Sequence, residues 1–115
     1  MQPTELRGFF SILDYHISHR RMLIRSTETS EEGVQNTDLL FDGIFYLEMP
    51  DKLDVVTIRE GSEQEYEYVE SRCFFEVHRQ FSKVFVLRSQ GKDYYVGARS
   101  FEASENDMPS LESSL

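Results

Sequence analysis

The 115 residues of this chain fit a single domain, large enough to bury roughly two thirds of the surface that its unfolded form exposes. Its 21 acidic and 12 basic residues give a formal net charge of −9 at pH 7, so the surface repels phosphate backbones and anionic lipid headgroups. Direct binding to nucleic acid is therefore not expected.

Three features of the sequence indicate a cytoplasmic protein. No apolar run approaches the roughly 20 residues that a membrane-spanning helix needs. Met1 is followed by a polar segment rather than by the basic and apolar regions of a secretory signal. The lone Cys73 cannot form an intramolecular disulfide. We predict a cytoplasmic location without membrane contact, and the sequence leaves the oligomeric state open.

Alternation of apolar and polar residues predicts strands in the first part of the chain. Residues 9–17 read as the first strand, because every second residue from position 13 is apolar. A turn and a short strand at 22–26 follow. Residues 27–37, in which Val34 is the only apolar residue, are predicted to be a mobile surface loop.

The most regular pattern lies in residues 38–49, where one side of a period of two is wholly apolar. That side carries Leu39, Phe41, Gly43, Phe45, Leu47 and Met49. The pattern predicts one long strand, with Phe45 and Leu47 in the core, that stops at Pro50 because proline has no N–H to give to a ladder. Residues 53–59 are predicted to form the next strand.

Residues 63–81 carry two conflicting patterns. Residues 65–68 alternate Glu and Tyr as a strand would, whereas apolar residues also recur at helical spacing. Ser62 with Glu65 fits a capping box at the start of a helix. The absence of Leu and Ala disfavours a helix, so strands broken near Ser71 are the preferred interpretation and a helix is the alternative.

Residues 83–101 are predicted to form a β-hairpin. Two runs rich in Val, Phe and Tyr flank a two-residue loop at Gln90 and Gly91. This register pairs Leu87 with Tyr94 and Phe85 with Val96, and it sets Arg88 opposite Asp93. A three-residue loop is the alternative, although it places Arg88 across from Lys92.

The chain is predicted to form one domain, residues 1–101, followed by an acidic and disordered tail, residues 102–115, that has too little apolar content to fold alone. The predicted fold is mainly β: a single antiparallel sheet of about six to eight strands, barrel-like or folded as a sandwich. One helix within residues 62–81 would make it α+β.

Catalytic, cofactor-binding and metal-binding motifs are not evident. The six glycines never fall in a phosphate-binding arrangement, and no serine lies in the Gly-x-Ser-x-Gly context of a hydrolase. On the predicted strand and turn, His16 and His19 point apart and do not form a metal site. We assign no catalytic residue, cofactor or metal, and expect a protein that is not an enzyme.

An acidic segment with interleaved tyrosines is the sharpest charge feature. Its candidate partner-binding residues are Glu63, Glu65, Tyr66, Glu67, Tyr68 and Glu70. Carboxylates with tyrosines suit a docking surface for a basic protein, and a solvated face or a charged edge strand explains the same pattern. The leading hypothesis is a non-enzymatic protein-binding module, an inhibitor or adaptor for a basic partner.

A small-ligand-binding or enzymatic β-barrel is the alternative function. Asp14 and His16 lie two apart on a predicted strand, so their side chains share a face and could form an acid–base pair. The candidate pocket adds Tyr46 and Tyr95. A concave apolar cavity with convergent polar groups at these residues would favour this hypothesis.

Overall fold

The computed structural model describes residues 1–115 as one antiparallel sheet of eight strands with a single α-helix. The strands are β1 (Thr4–His16), β2 (Arg21–Ser30), β3 (Gly33–Asp42), β4 (Tyr46–Glu48), β5 (Lys52–Glu60), β6 (Lys83–Ser89), β7 (Lys92–Ala98) and β8 (Ser100–Asn106). The helix α1 spans Glu63–Cys73. The predicted mainly β, single-sheet fold is confirmed, and the sheet is not closed into a barrel.

The sheet curls until its two ends adjoin. The strand order is β4-β7-β6-β5-β1-β2-β3-β8, so β7 lies beside one edge of the sheet and β8 forms the other edge. In the sequence, Arg99 alone separates β7 from β8, so the two edges lie close together. The covalent chain joins the two ends, through Arg99 between β7 and β8 and through residues 43–45 between β3 and β4. A backbone hydrogen bond of 2.9 Å extends the ladder at each end: the N–H of Arg99 donates to the carbonyl of Asp42 beside the β3–β8 pair, and the N–H of Phe45 donates to that of Gly97 beside the β4–β7 pair. One face of the sheet therefore encloses a common interior.

The main core fills that interior with 13 buried residues. Phe41 of β3 and Phe85 of β6 have ring centroids 5.8 Å apart, and Phe101 lies 5.0 Å from Phe41. Because β3 and β6 are not neighbours in the strand order, their side chains meet only through the curl of the sheet. A second, smaller cluster packs under α1; it consists of Tyr66, Val69, Val77 and Val84.

The predicted hairpin of β6 and β7 is confirmed with its two-residue loop. Leu87 pairs with Tyr94, and Phe85 pairs with Val96. Nη1 of Arg88 donates to Oδ1 of Asp93 at 3.0 Å.

The loop predicted at residues 27–37 is instead the tip of a second hairpin. β2 and β3 pair without interruption from Arg21 opposite Asp42 to Ser30 opposite Gly33. Their outer halves have mostly exposed side chains. The polar composition correctly predicted that these residues lie at the surface. Backbone hydrogen bonds between β2 and β3, rather than burial of apolar side chains, stabilise the strands here.

The strand predicted at residues 38–49 is broken in two. Gly43 lies in the left-handed region at φ 71°, and a Cβ there would lie 2.7 Å from the Cβ of Arg99. The chain bends, so that β3 pairs with β8 and β4 with β7. Leu47, predicted as core, is 39% exposed after the bend, and Phe45 is half-buried.

The preference for strands at residues 63–81 is wrong, and the helical alternative is correct over Glu63–Cys73. The capping box fixes the first turn, and Tyr66 and Val69 lie on one buried stripe. No helix of this chain is long and apolar enough to cross a membrane.

The folded domain extends beyond the predicted boundary at residue 101. β8 continues to Asn106 and pairs with β3 along its whole length. The ladder supplies hydrogen bonds that composition does not reveal, and residues 102–106 therefore belong to the domain. Residues 107–115, predicted to be disordered, lie against the sheet, where Arg25 and Asn36 donate hydrogen bonds to their carbonyls.

Candidate partner-binding surface

The first turn of α1 is tied to the sheet through Glu65. The backbone N–H of Glu65 donates to Oγ of Ser62 (3.3 Å), and the N–H of Ser62 donates to Oε1 of Glu65 (2.9 Å). The guanidinium of Arg59 donates to both carboxylate oxygens of Glu65, at 2.6 and 3.0 Å. Hydrogen bonds from Arg59 and Ser62 outweigh burial and lower the pKa of Glu65 from 4.5 to about 2. Glu65 is therefore part of the scaffold.

The inner face of α1 packs on β6. Tyr66 and Val69 are fully buried against Val77 and Val84. The hydroxyl of Tyr66 donates to Oε2 of Glu60 at 3.1 Å, so its polar end is satisfied within the fold. Tyr66 is therefore not available to a partner.

The chain that leaves α1 folds back along the helix and is held at three points. The backbone N–H of Val77 donates to Oε2 of Glu70 at 2.8 Å. Arg79 forms a bidentate ion pair with Glu63, and its guanidinium lies 3.9 Å from the ring centre of Tyr66. These contacts define the path of residues 76–80.

Three phenylalanines project from this anchored segment, residues 74–82, which we call the Phe loop. Phe74 is 95% exposed and Phe81 is 67% exposed, while Phe75 is half-exposed and its ring packs edge-on against Phe45 at 5.5 Å. Phe74 also ends the helix in the left-handed region, at φ 65°. Between α1 and the loop lies a surface cavity of 380 Å³ lined by Glu70, Glu76, Val77, His78, Arg79 and Gln80.

All six predicted partner-binding residues lie on α1, but not on one face of the helix. Glu63 and Glu67 are exposed, whereas Tyr66 is buried. The half-buried members, each with an internal hydrogen bond, are Glu65, Tyr68 and Glu70. A helix turns successive residues about its axis, whereas the predicted strand would have placed them on two faces. Of the four glutamates, only Glu63 and Glu67 are exposed.

Two of the four candidate pocket residues join a tyrosine cluster between α1 and β4. The hydroxyls of Tyr46 and Tyr68 both donate to the carboxylate of Glu48, Tyr68 at 2.9 Å. The ring of Tyr95 lies 5.1 Å from that of Tyr68. Burial, with the nearby Glu48 carboxylate, raises the pKa of Tyr46. Arg72 covers the ring of Tyr68 at 4.8 Å.

The other two candidate pocket residues, Asp14 and His16, share a face of β1 as predicted. Nε2 of His16 lies 3.1 Å from Oδ2 of Asp14, and both side chains are partly exposed. A hydrogen bond from Ser113, followed by the influence of His16, lowers the pKa of Asp14. None of the cavities is lined by these two residues or by Tyr46 and Tyr95. The four residues do not converge on one site.

The sequence did not predict the Phe loop. Phe74 and Phe75 fall off the helical apolar stripe, whereas Phe81 continues the spacing of that stripe beyond the end of α1 at Cys73. Apolar residues that a helix does not bury are the signal that could have identified the loop. No group of three or more His, Cys, Asp or Glu side chains is arranged to hold a metal ion.

Comparisons with protein-family models, with curated proteins and with solved structures found no match for this chain.

Proposed function

We propose that this chain is a non-enzymatic cytoplasmic module that binds a basic protein through the Phe loop and the exposed face of α1. The observation that carries the proposal is the exposure of Phe74 and Phe81 at either end of a loop that is itself firmly anchored. Contiguous exposed apolar patches rimmed by polar residues mark interaction sites in soluble proteins, and Phe74, Phe75 and Phe81 all lie in one short loop.

The energetics favour a binding role for these side chains. Burying a phenylalanine stabilises a fold by about 1.5 to 3 kcal/mol, and this fold leaves that gain unused at Phe74 and Phe81. Phe74 also holds a left-handed conformation that costs a non-glycine residue on the order of 1 to 2 kcal/mol. Because Glu70 and Arg79 already fix the loop, a partner would order little backbone on binding.

The charge of the surface supports a basic partner. Glu67 and Glu76 are exposed beside the Phe loop, whereas the exposed Glu63 is already paired with Arg79. The chain as a whole carries −9. Opposite charge on a partner raises its association rate, while the aromatic residues supply contact area. The single cysteine, which leaves the chain without an internal disulfide, supports a cytoplasmic location.

No observation favours the alternative of a ligand-binding or enzymatic barrel. Its candidate residues divide between the Asp14–His16 pair and the tyrosine cluster, without a common cavity.

Quantitative affinity capture from native lysate tests the proposal. The bait carrying Phe74→Ser and Phe81→Ser should lose a basic protein that the unaltered chain retains. Ile17→Ser is the matched control, since Ile17 is 82% exposed but lies at the turn between β1 and β2. Equal capture by all three baits, or loss from the Ile17 variant alone, would refute a docking role for the Phe loop.

A further inference from the structure

An ion pair on the outer face of β2 and β3 is buried, although the sheet itself does not cover it. Arg25 and Asp38 lie directly opposite each other, one residue along from the core residues Ile24 and Leu39 and so on the other face. Nε and Nη2 of Arg25 donate to the two oxygens of Asp38 at 2.6 and 2.9 Å. The two side chains are only 3% and 4% exposed.

The C-terminal segment, residues 107–115, covers this pair. Nη1 of Arg25 donates to the carbonyls of Pro109 and Ser110, both at 3.3 Å, and to that of Glu112 at 2.7 Å. The N–H of Glu112 donates to the carbonyl of Pro109 at 2.9 Å and closes a turn, so that the carbonyls converge on the guanidinium. The site thus recognises the backbone of a turn.

The side-chain amide of Asn36 adds a further backbone contact, donating to the carbonyl of Met108 at 2.9 Å. A second side-chain amide, that of Asn106, donates to Oδ2 of Asp38 at 2.6 Å. The buried side chains therefore form one hydrogen-bonded network, in which Arg25 and Asn36 donate to main-chain oxygens.

The turn leaves a cavity of 280 Å³ beside it unfilled. Phe9, Ile12, Leu13 and Leu111 form its apolar walls, and Arg25 lines its polar side. Leu111 borders the cavity but is 85% exposed, and Phe9 is also exposed. The chain's own segment thus satisfies the donors without filling the apolar space.

We propose that the outer face of β2 and β3 is a second protein-binding site, separate from the Phe loop, which takes a peptide turn from a partner protein. The carbonyls of that turn replace those of the C-terminal segment on Arg25, and a bulky apolar side chain at the position of Leu111 fills the cavity. In the absence of a partner, the C-terminal segment occupies the site intramolecularly and makes the hydrogen bonds that the partner's turn would make.

The occupant is a partner segment rather than the C-terminus of a second copy. An identical segment would leave the same cavity empty. It would also compete with an intramolecular segment whose effective concentration is on the order of millimolar. A segment with a larger apolar side chain gains burial that the resident segment lacks.

Displacement in solution tests this proposal with the full chain. Two peptides of residues 106–115, one with Leu111→Phe and one with Leu111→Ser, are titrated into the isotope-labelled protein. The Phe peptide should displace the resident segment at a concentration about tenfold lower than the Ser peptide. Amide resonances of residues 107–115 should then move to random-coil positions, while those of β6 and β7 stay unchanged.

Replacing Arg25→Lys in the full chain keeps the charge but removes the planar fork that holds the resident segment. The amide resonances of residues 107–115 should then shift toward random-coil positions without any peptide. If that variant does not fold, the comparison of the two peptides decides alone. Equal potency of the two peptides would refute the role of the cavity, and no displacement by either at about 5 mM, above the effective concentration of the resident segment, would refute the site.

Discussion

Replacing Glu65 by Gln should destabilise the fold by about 1.5 kcal/mol at neutral pH, because it removes a charge but keeps the cap. A glutamine at this position can still accept the N–H of Ser62, as glutamate does at 2.9 Å. The substitution removes the carboxylate that accepts hydrogen bonds from Nη1 and Nη2 of Arg59. The substitution therefore isolates the ion pair from the capping box.

The magnitude follows from the pKa of Glu65, which hydrogen bonds from Arg59 and then Ser62 lower from 4.5 to about 2. At about 1.4 kcal/mol per pH unit, that difference corresponds to ~3.4 kcal/mol of stabilisation. Arg59 is 36% exposed, so solvent screens the pair, and the hydrogen bond with Ser62 survives the substitution. Slightly less than half of that value, about 1.5 kcal/mol, is therefore expected. A lowered carboxyl pKa stabilises the fold above its unfolded value of 4.5, and this contribution disappears as the pH falls toward 2.

Urea denaturation at pH 7 and at pH 3 measures both effects. Glu67→Gln is the matched control, since Glu67 is exposed on the same helix. Relative to this control, the Glu65 variant should be less stable at pH 7, and the difference should shrink at pH 3. Equal stability of the two variants at pH 7, or a difference that grows with acid, would contradict the role assigned to the Arg59–Glu65 pair.

Phe41→Ala should cost about 3 to 5 kcal/mol in denaturant titrations, because Phe41 is fully buried, whereas Leu47→Ala should cost under about 1 kcal/mol at its exposed position. Similar costs would show that the core is misassigned. Arg25→Met should cost about 3 to 5 kcal/mol by leaving Asp38 buried without its partner, and adding Asp38→Leu should recover much of the loss; strict additivity would refute the coupling. Amide hydrogen exchange should show protection across β8, and exchange at random-coil rates would contradict its pairing with β3.

Short-range patterns explain what the sequence predicted correctly. The β6–β7 hairpin depends on a two-residue loop at Gln90-Gly91 and on neighbouring pairs such as Arg88 with Asp93, all of which lie close together in the sequence. The capping box of Ser62 and Glu65 was also legible, although the scarcity of good helix formers outweighed it in the prediction.

Long-range pairings explain what was missed. Nothing near Gly43 in the sequence shows that Arg99 will pack against it, so the bend that exposes Leu47 could not be foreseen. The C-terminal residues look too polar to fold because their partners, Arg25 and Asn36, lie more than 70 positions away. The composition of a segment indicates how much apolar surface it can bury. These segments are instead held by hydrogen bonds to donors that are distant in the sequence.

Photo-crosslinking at the Phe loop tests the central claim, that this loop is the contact surface for a basic protein. A photoreactive phenylalanine analogue replaces Phe81 in one bait and Ile17 in a matched bait, and both are irradiated in native lysate. The account predicts a cross-link to one basic protein from position 81, absent from position 17 and weakened by Phe74→Ser. A cross-link of equal yield from both positions, or none from position 81 while the same protein is captured, would contradict it.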